Sequence, residues 1–232
     1  MRHIESAFLS ALILTLLAGA ASAHEHWVDV ASFYPAVGET VDVYVRSGHH
    51  FPQSEQVLED KVVEGLRVWD GGESPRTIAT VAHDKSRAGK LIVEHEGVHV
   101  LDLTLKRPRA KEPSFEAKTI VVVNRLKDDP ARYGLGEGLE LTPGEPVSSV
   151  AAGDTLSVRL TLDGEPLAGS LQVVPEKGRT RFIRTEPGKP ALIPLRTAGR
   201  YLVTAQVGGR GASLVFDVLE KGLPAEREEI TQ

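Results

Sequence analysis

The chain has 232 residues, enough for one large or two small domains, and its 41% hydrophobic and 25% charged content is ordinary for a globular protein. A formal net charge of -5 argues against a nucleic-acid binder, which needs a basic face. There is no cysteine, so disulfides, thiolate metal ligation and cysteine nucleophiles are excluded, and a metal site must use histidine, carboxylate or backbone nitrogen.

Arg2 and His3 lead into an apolar run from Ala7 to about Ala20, which ends in Ala21-Ser22-Ala23. That is the order of a secretory signal with a small-x-small cleavage site, and it predicts a cut after Ala23 and a periplasmic protein. No cysteine follows the cut, so no lipoprotein anchor is expected, and no later stretch is apolar enough to span a membrane. Cleavage would make His24 the N-terminus and place its amine, its imidazole and the His26 imidazole within three residues.

Short strands framed by glycine follow. Val41 to Arg46 alternates apolar and polar residues, and Gly65 to Gly72, Leu91 to Glu94, Val98 to Leu105 and Lys118 to Val123 continue the series. A short helix is expected near Ser54 to Lys61. Asn124 to Pro146 is dense in glycine and proline and reads as a linker. The strands then restart over Thr155–Leu162, Ser170–Val174, Thr180–Arg184, Tyr201–Ala205 and Ala212–Val218. Val37-Gly38-Glu39-Thr40-Val41-Asp42-Val43 resembles Ala152-Gly153-Asp154-Thr155-Leu156-Ser157-Val158, a weak internal repeat. The prediction is an all-β protein of two tandem Ig-like or transthyretin-like β-sandwiches. The expected parts are a signal peptide (1–23), an N-terminal metal-binding sandwich (24–125), a linker (126–146), a C-terminal Ig-like sandwich (147–220) and a polar tail (221–232).

Six of the eight histidines form three clusters, all in the first half: His24 with His26, His49 with His50, and His95 with His99. On a strand, residues i and i+2 share a face, so His24 and His26 point together. Two binding modes follow. In one, the amine, two backbone amides and the His26 ring form a planar four-nitrogen set suited to nickel or copper. In the other, the amine and ring of His24 chelate together and a distant histidine completes a copper-type histidine brace. His49 and His50 end the first strong strand, where neighbours face opposite ways, so one of the two is expected to join the site. Glu25 is a candidate to orient a ring from behind the ligands. His95 and His99 are weaker metal candidates, because Gly97 and the β context argue against a helical His-x3-His site. Glu94 and Glu96 are possible oxygen donors beside them. No nucleophile elbow or phosphate-binding loop is present, and no enzymatic activity is expected.

Ala23-His24-Glu25-His26-Trp27, Phe33-x-Pro35-x2-Gly38-Glu39-x-Val41-x-Val43 and Gly48-His49-His50-Phe51 resemble the start of the exported NikM-like nickel-uptake family, also known as domain of unknown function 4198. Leu162 to Gly169 and Ala198 to Val203 are similar to its later segments. The resemblance implies a periplasmic component of nickel or cobalt uptake that works with an envelope metal transporter. Its histidines correspond to His24 and His49, while His26 stands where many members carry an apolar or aromatic residue. The readings carried forward are a nickel-, cobalt- or copper-binding protein and, in a different class, an Ig-like module that docks on an envelope transporter without metal.

Overall fold

A computed structural model describes residues 24–106 and 113–221. The expected signal segment and nearly all of the polar tail lie outside the described residues. The strands are β1 (Glu25–Val30), β2 (Thr40–Gly48), β3 (Val63–Trp69), β4 (Arg76–Thr77), β5 (Val81–His83), β6 (Ser86–Ile92), β7 (Gly97–Lys106) and β8 (Pro113–Val123) in the first half. In the second half they are β9 (Leu139–Pro143), β10 (Thr155–Leu162), β11 (Glu165–Pro166), β12 (Gly169–Pro175), β13 (Arg181–Thr185), β14 (Ala191–Pro194), β15 (Gly199–Val207) and β16 (Arg210–Val218). Among the described residues the only helical turns are three short 3-10 turns, at Arg125–Lys127, Pro130–Arg132 and Val147–Ser149. Among the described residues no helix is long and apolar enough to cross a membrane.

The described residues are all-β apart from the three 3-10 turns, built as two β-sandwiches, and the two share a sheet. The shared sheet runs β13-β12-β15-β16-β8-β7-β3-β4. Its centre is the pairing of β8 with β16, the parallel seam where the halves join. One face carries Val98, Val100, Ile120, Val122, Leu214 and Phe216, which pack against Leu141, Leu156, Val158 and Ile193 from the β9-β10-β14 side. The other face carries Leu101, Leu103, Val121, Val123 and Val215, which pack against Val28, Val43, Val45 and Leu91 of the sheet β1-β2-β6-β5. Alternate residues of one strand thus enter different cores, as the two-residue pleat requires. This is why β7 is buried along nearly its whole length, its polar His99, Asp102 and Thr104 included.

Two expectations need correction. The helix near Ser54 to Lys61 is absent. Ser54 Oγ accepts from Ser47 N at 3.0 Å and donates to Lys85 O at 2.6 Å, and Glu55 N donates to Ser47 O at 2.8 Å. These bonds tie the segment to β2 and to the β5–β6 hairpin, and they compete with any helical ladder. The glycine- and proline-rich stretch before Pro146 is more than a linker. It contains β9, which pairs with β10 from Leu139↔Leu162 to Pro143↔Val158, and it buries Tyr133, Leu139 and Leu141 in the second core.

β1 sets the position of the N-terminal histidines. It pairs antiparallel with β2, with Glu25 opposite Gly48 and His26 opposite Ser47. It is also tied to the central sheet. Thr119 Oγ1 donates to Val28 O at 2.6 Å, Ser213 Oγ donates to His26 O at 2.8 Å, and Arg200 Nη1 reaches Asp29 Oδ2 at 2.8 Å. Trp27, fully buried, meets Phe51 edge-on at 5.7 Å between ring centroids. A strand with anchors from β8, β15 and β16 has little freedom to slide.

Candidate metal centre

One step beyond the β1–β2 register, His24 faces His49. Their rings stand 4.3 Å apart between centroids and are tilted by 37°. Glu55 completes a set in which one ligand atom from each of His24, His49 and Glu55 lies within 4.8 Å of the others. His49 and Glu55 are exposed and His24 is half-buried, so the set opens to solvent. Gly48 lets it form: a Cβ there would stand 2.9 Å from Glu55 Cγ, because the Glu55 side chain crosses directly over the glycine. The Gly-His pair therefore has a physical reason, a backbone without a side chain where a carboxylate must pass.

His50 lies outside this set but reaches it through Glu55, with Nδ1 2.5 Å from Oε1. The His50 hydrogen bond comes first among the causes that hold the Glu55 carboxyl below its usual range, and the His49 backbone and the charges of both histidines add to it. One of the adjacent histidines thus offers a ring to the cluster, and the other positions the oxygen donor. Glu55 escaped the sequence reading, although its place three residues past Pro52, where the chain turns back after β2, was an available signal.

His26 takes a different environment. Its ring meets Phe115 of β8 edge-on at 5.0 Å, and its Nδ1 is buried without a hydrogen-bond partner. Burial, with the nearby His24 charge, lowers its pKa to about 4, so the ring is neutral at neutral pH. It is not part of the three-residue set. Burial raises the Glu25 carboxyl to about 7, and among the described residues no hydrogen bond or ion pair holds its side chain. Glu25 therefore makes no visible contact that would orient a ring.

The third histidine pair lies elsewhere. β3 and β7 are antiparallel neighbours with Trp69 opposite Val100, which brings Asp70, just past β3, beside His99. His95, in the turn before β7, has its ring centroid 5.5 Å from that of His99. Asp70, His95 and His99 form a second group whose ligand atoms all lie within 4.8 Å of one another. Glu94 does not join it and pairs with Arg76 at 3.3 Å, while Glu96 pairs with Lys127 at 2.6 Å.

A cleft of about 570 Å³ has no histidine in its lining. It lies over β3, β7 and β8 where they face β9, and its charges already hold one another. Lys118 Nζ reaches Glu140 Oε1 at 2.6 Å, and Arg67 bonds Asp102. Burial raises the carboxyls of Asp102 and Glu116, Glu116 to about 7. Such a network stabilises a fold more readily than it accepts an ion.

Fold and site together define a class: a double β-sandwich with an open histidine–carboxylate cluster at the outer end of its first strand pair. The chain belongs to the family described as Domain of unknown function (DUF4198), whose model matches residues 21–209. No match is found among curated proteins. Among solved structures, the mouse nectin-like molecule 4 ectodomain is similar at 14% identity and a TM-score of 0.26, over 88% of this chain and 67% of that one. A two-domain fibronectin type III segment of chicken tenascin is similar at 11% identity and a TM-score of 0.27, over 84% and 99%. A Salmonella alpha-2-macroglobulin mutant is similar at 14% identity and a TM-score of 0.32, over 86% of this chain and 15% of that one.

Proposed function

We propose that the protein is an exported, non-enzymatic metal-binding protein that captures nickel or cobalt at His24 and passes it to an envelope metal transporter. The observation that carries this reading is the convergence of His24, His49 and Glu55 within 4.8 Å. Two imidazoles and a carboxylate are a donor set for a divalent first-row ion, and a chain without cysteine has no softer ligand to offer. Cleavage after Ala23 adds the His24 amine, so the finished site chelates through the amine and ring of one residue, with His49 as second imidazole and Glu55 as oxygen donor. His50 keeps that carboxylate ionised and directed. An exposed, open cluster suits an ion that must be both acquired and released.

The closeness of the His24 and His49 rings, 4.3 Å between centroids, also favours a copper-binding histidine brace over the planar mode, because His26 is engaged with Phe115. Titration calorimetry with Ni²⁺, Co²⁺ and Cu²⁺ tests both readings. Protein beginning at His24 is expected to bind more tightly, by about tenfold or more, than protein with one extra N-terminal residue, since even groups behind the ligands contribute that much. His49→Ala is expected to lose as much, and His26→Ala little. Equal affinity with and without the extra residue would overturn the amine-based site.

A further inference from the structure

His99 is fully buried, and neither of its ring nitrogens has a hydrogen-bond partner. An imidazole has a polar atom at each nitrogen, and buried polar atoms are almost always satisfied. A buried imidazole without a partner, packed beside another imidazole and a carboxylate, is placed to ligate a metal ion.

We propose that Asp70, His95 and His99 form a second divalent-cation site, separate from the N-terminal cluster, that takes a borderline ion such as Zn²⁺ or Co²⁺. Two histidines and one aspartate leave coordination positions open for water. His99 supplies the buried ligand from β7. Asp70, also buried, supplies the carboxylate from the end of β3. His95 is half-exposed, and its Nε2 rests 3.2 Å from the Asp70 carbonyl oxygen, so it covers the site on the solvent side. Arg76 donates to Asp70 Oδ2 from Nε at 2.9 Å and Nη2 at 2.7 Å. Both donors meet the one oxygen and hold that end of the carboxylate, as partners behind metal ligands commonly do, and Glu94 on the same guanidinium offsets part of its charge. Gly97, at φ +111°, makes the tight turn that returns His95 towards His99.

The two sites are physically independent. Val93 and Glu39 exchange a backbone bond at the start of β2, close to His95, whereas His49 follows the end of β2. The nine residues of β2 span on the order of 27 Å at ~3.4 Å per residue.

The test uses a His24→Ala/His49→Ala protein, which lacks the N-terminal cluster. Zn²⁺ titration calorimetry and the visible absorption of bound Co²⁺ report the second site alone. The double variant is expected to retain one equivalent of either ion, with Co²⁺ d–d bands of four- or five-coordinate intensity. Adding His95→Ala, at an exposed position that leaves the core intact, is expected to weaken binding about tenfold or more, and Asp70→Asn likewise. Circular dichroism checks that each variant is folded, and His99→Ala is read only if it passes. Loss of all binding in the double variant, or unchanged binding after His95→Ala and Asp70→Asn, overturns the site. The result does not depend on the N-terminal reading, because wild type that binds no ion at His24 can still bind one here.

Discussion

At the scale of single residues, the protein repeatedly places ionisable groups where water is scarce, and pH reads the consequence. Glu116 lies in the central cleft, where it accepts from Leu139 N and crowds Gly138, at which a Cβ would collide with the carboxylate. Burial raises its pKa from 4.5 to about 7. The folded protein therefore binds a proton here that the unfolded chain releases. That contribution is full below about pH 4.5 and is lost as pH rises through about 7. Glu25 adds a loss of the same sign over the same window. Glu116→Gln, neutral at every pH, is expected to lose less stability than wild type between pH 5 and pH 8, measured as the shift in urea midpoint. Parallel midpoints in the two proteins would contradict the assignment. The histidine clusters were legible in the sequence because histidine is sparse and one-sided here. Glu55 and Asp70 were not, because carboxylates are common along the chain and only long-range pairing reveals which ones meet an imidazole.

At the scale of elements, β9 shows how a strand can be hidden. Its five residues sit among Gly134, Gly136, Gly138, Pro143, Gly144 and Pro146, so turn signals mask the alternation. What locks it in place is a buried ion pair. Glu140 on β9 holds Lys118 on β8 and also accepts from Leu135 N at 2.8 Å and Gly136 N at 3.2 Å. Both charges are almost fully buried. Burial pulls the Lys118 amine below its usual range, and Glu140, with a smaller contribution from Asp102, favours its charged form. Glu140→Ala leaves that amine without its carboxylate, which typically costs about 3–5 kcal/mol. For a chain of this size the thermal midpoint is expected to fall by roughly 6–20 °C. A fall of only a degree or two would show that the pair contributes little. The other strands were easier to anticipate. β2, β7 and β8 lie where alternation or β-branched runs placed them, and β1 continues the pairing that brings His24 to His49.

At the scale of the whole molecule, the two sandwiches are not beads on a string. β8 belongs to the first half of the chain and β16 to the second, yet they are neighbours in one sheet whose two faces feed both cores. Leu202 and Val215, from the second half, pack in the core that holds Trp27. The sequence pattern revealed two sandwiches but not their shared sheet, since alternation says which face a residue takes and nothing about which strand lies beside it. Unfolding is expected as one cooperative transition. Trp27 and Trp69 both lie in the first half, so their fluorescence reports that half, while far-ultraviolet circular dichroism reports all strands. The two curves are expected to coincide in guanidinium, and two separated transitions would show the halves to be independent.

The seam between β8 and β16 also has a consequence in time. A chain is made from its N-terminus, and among the described strands β16 is the last to appear. Until it does, β8 has an open edge and β15 lacks its hairpin partner, so neither core can close. Among the described strand pairings, that of β8 with β16 joins residues furthest apart in sequence, and such pairings form late. The strand is therefore a completion step: neither sandwich closes until β16 has been made and has slotted between β15 and β8.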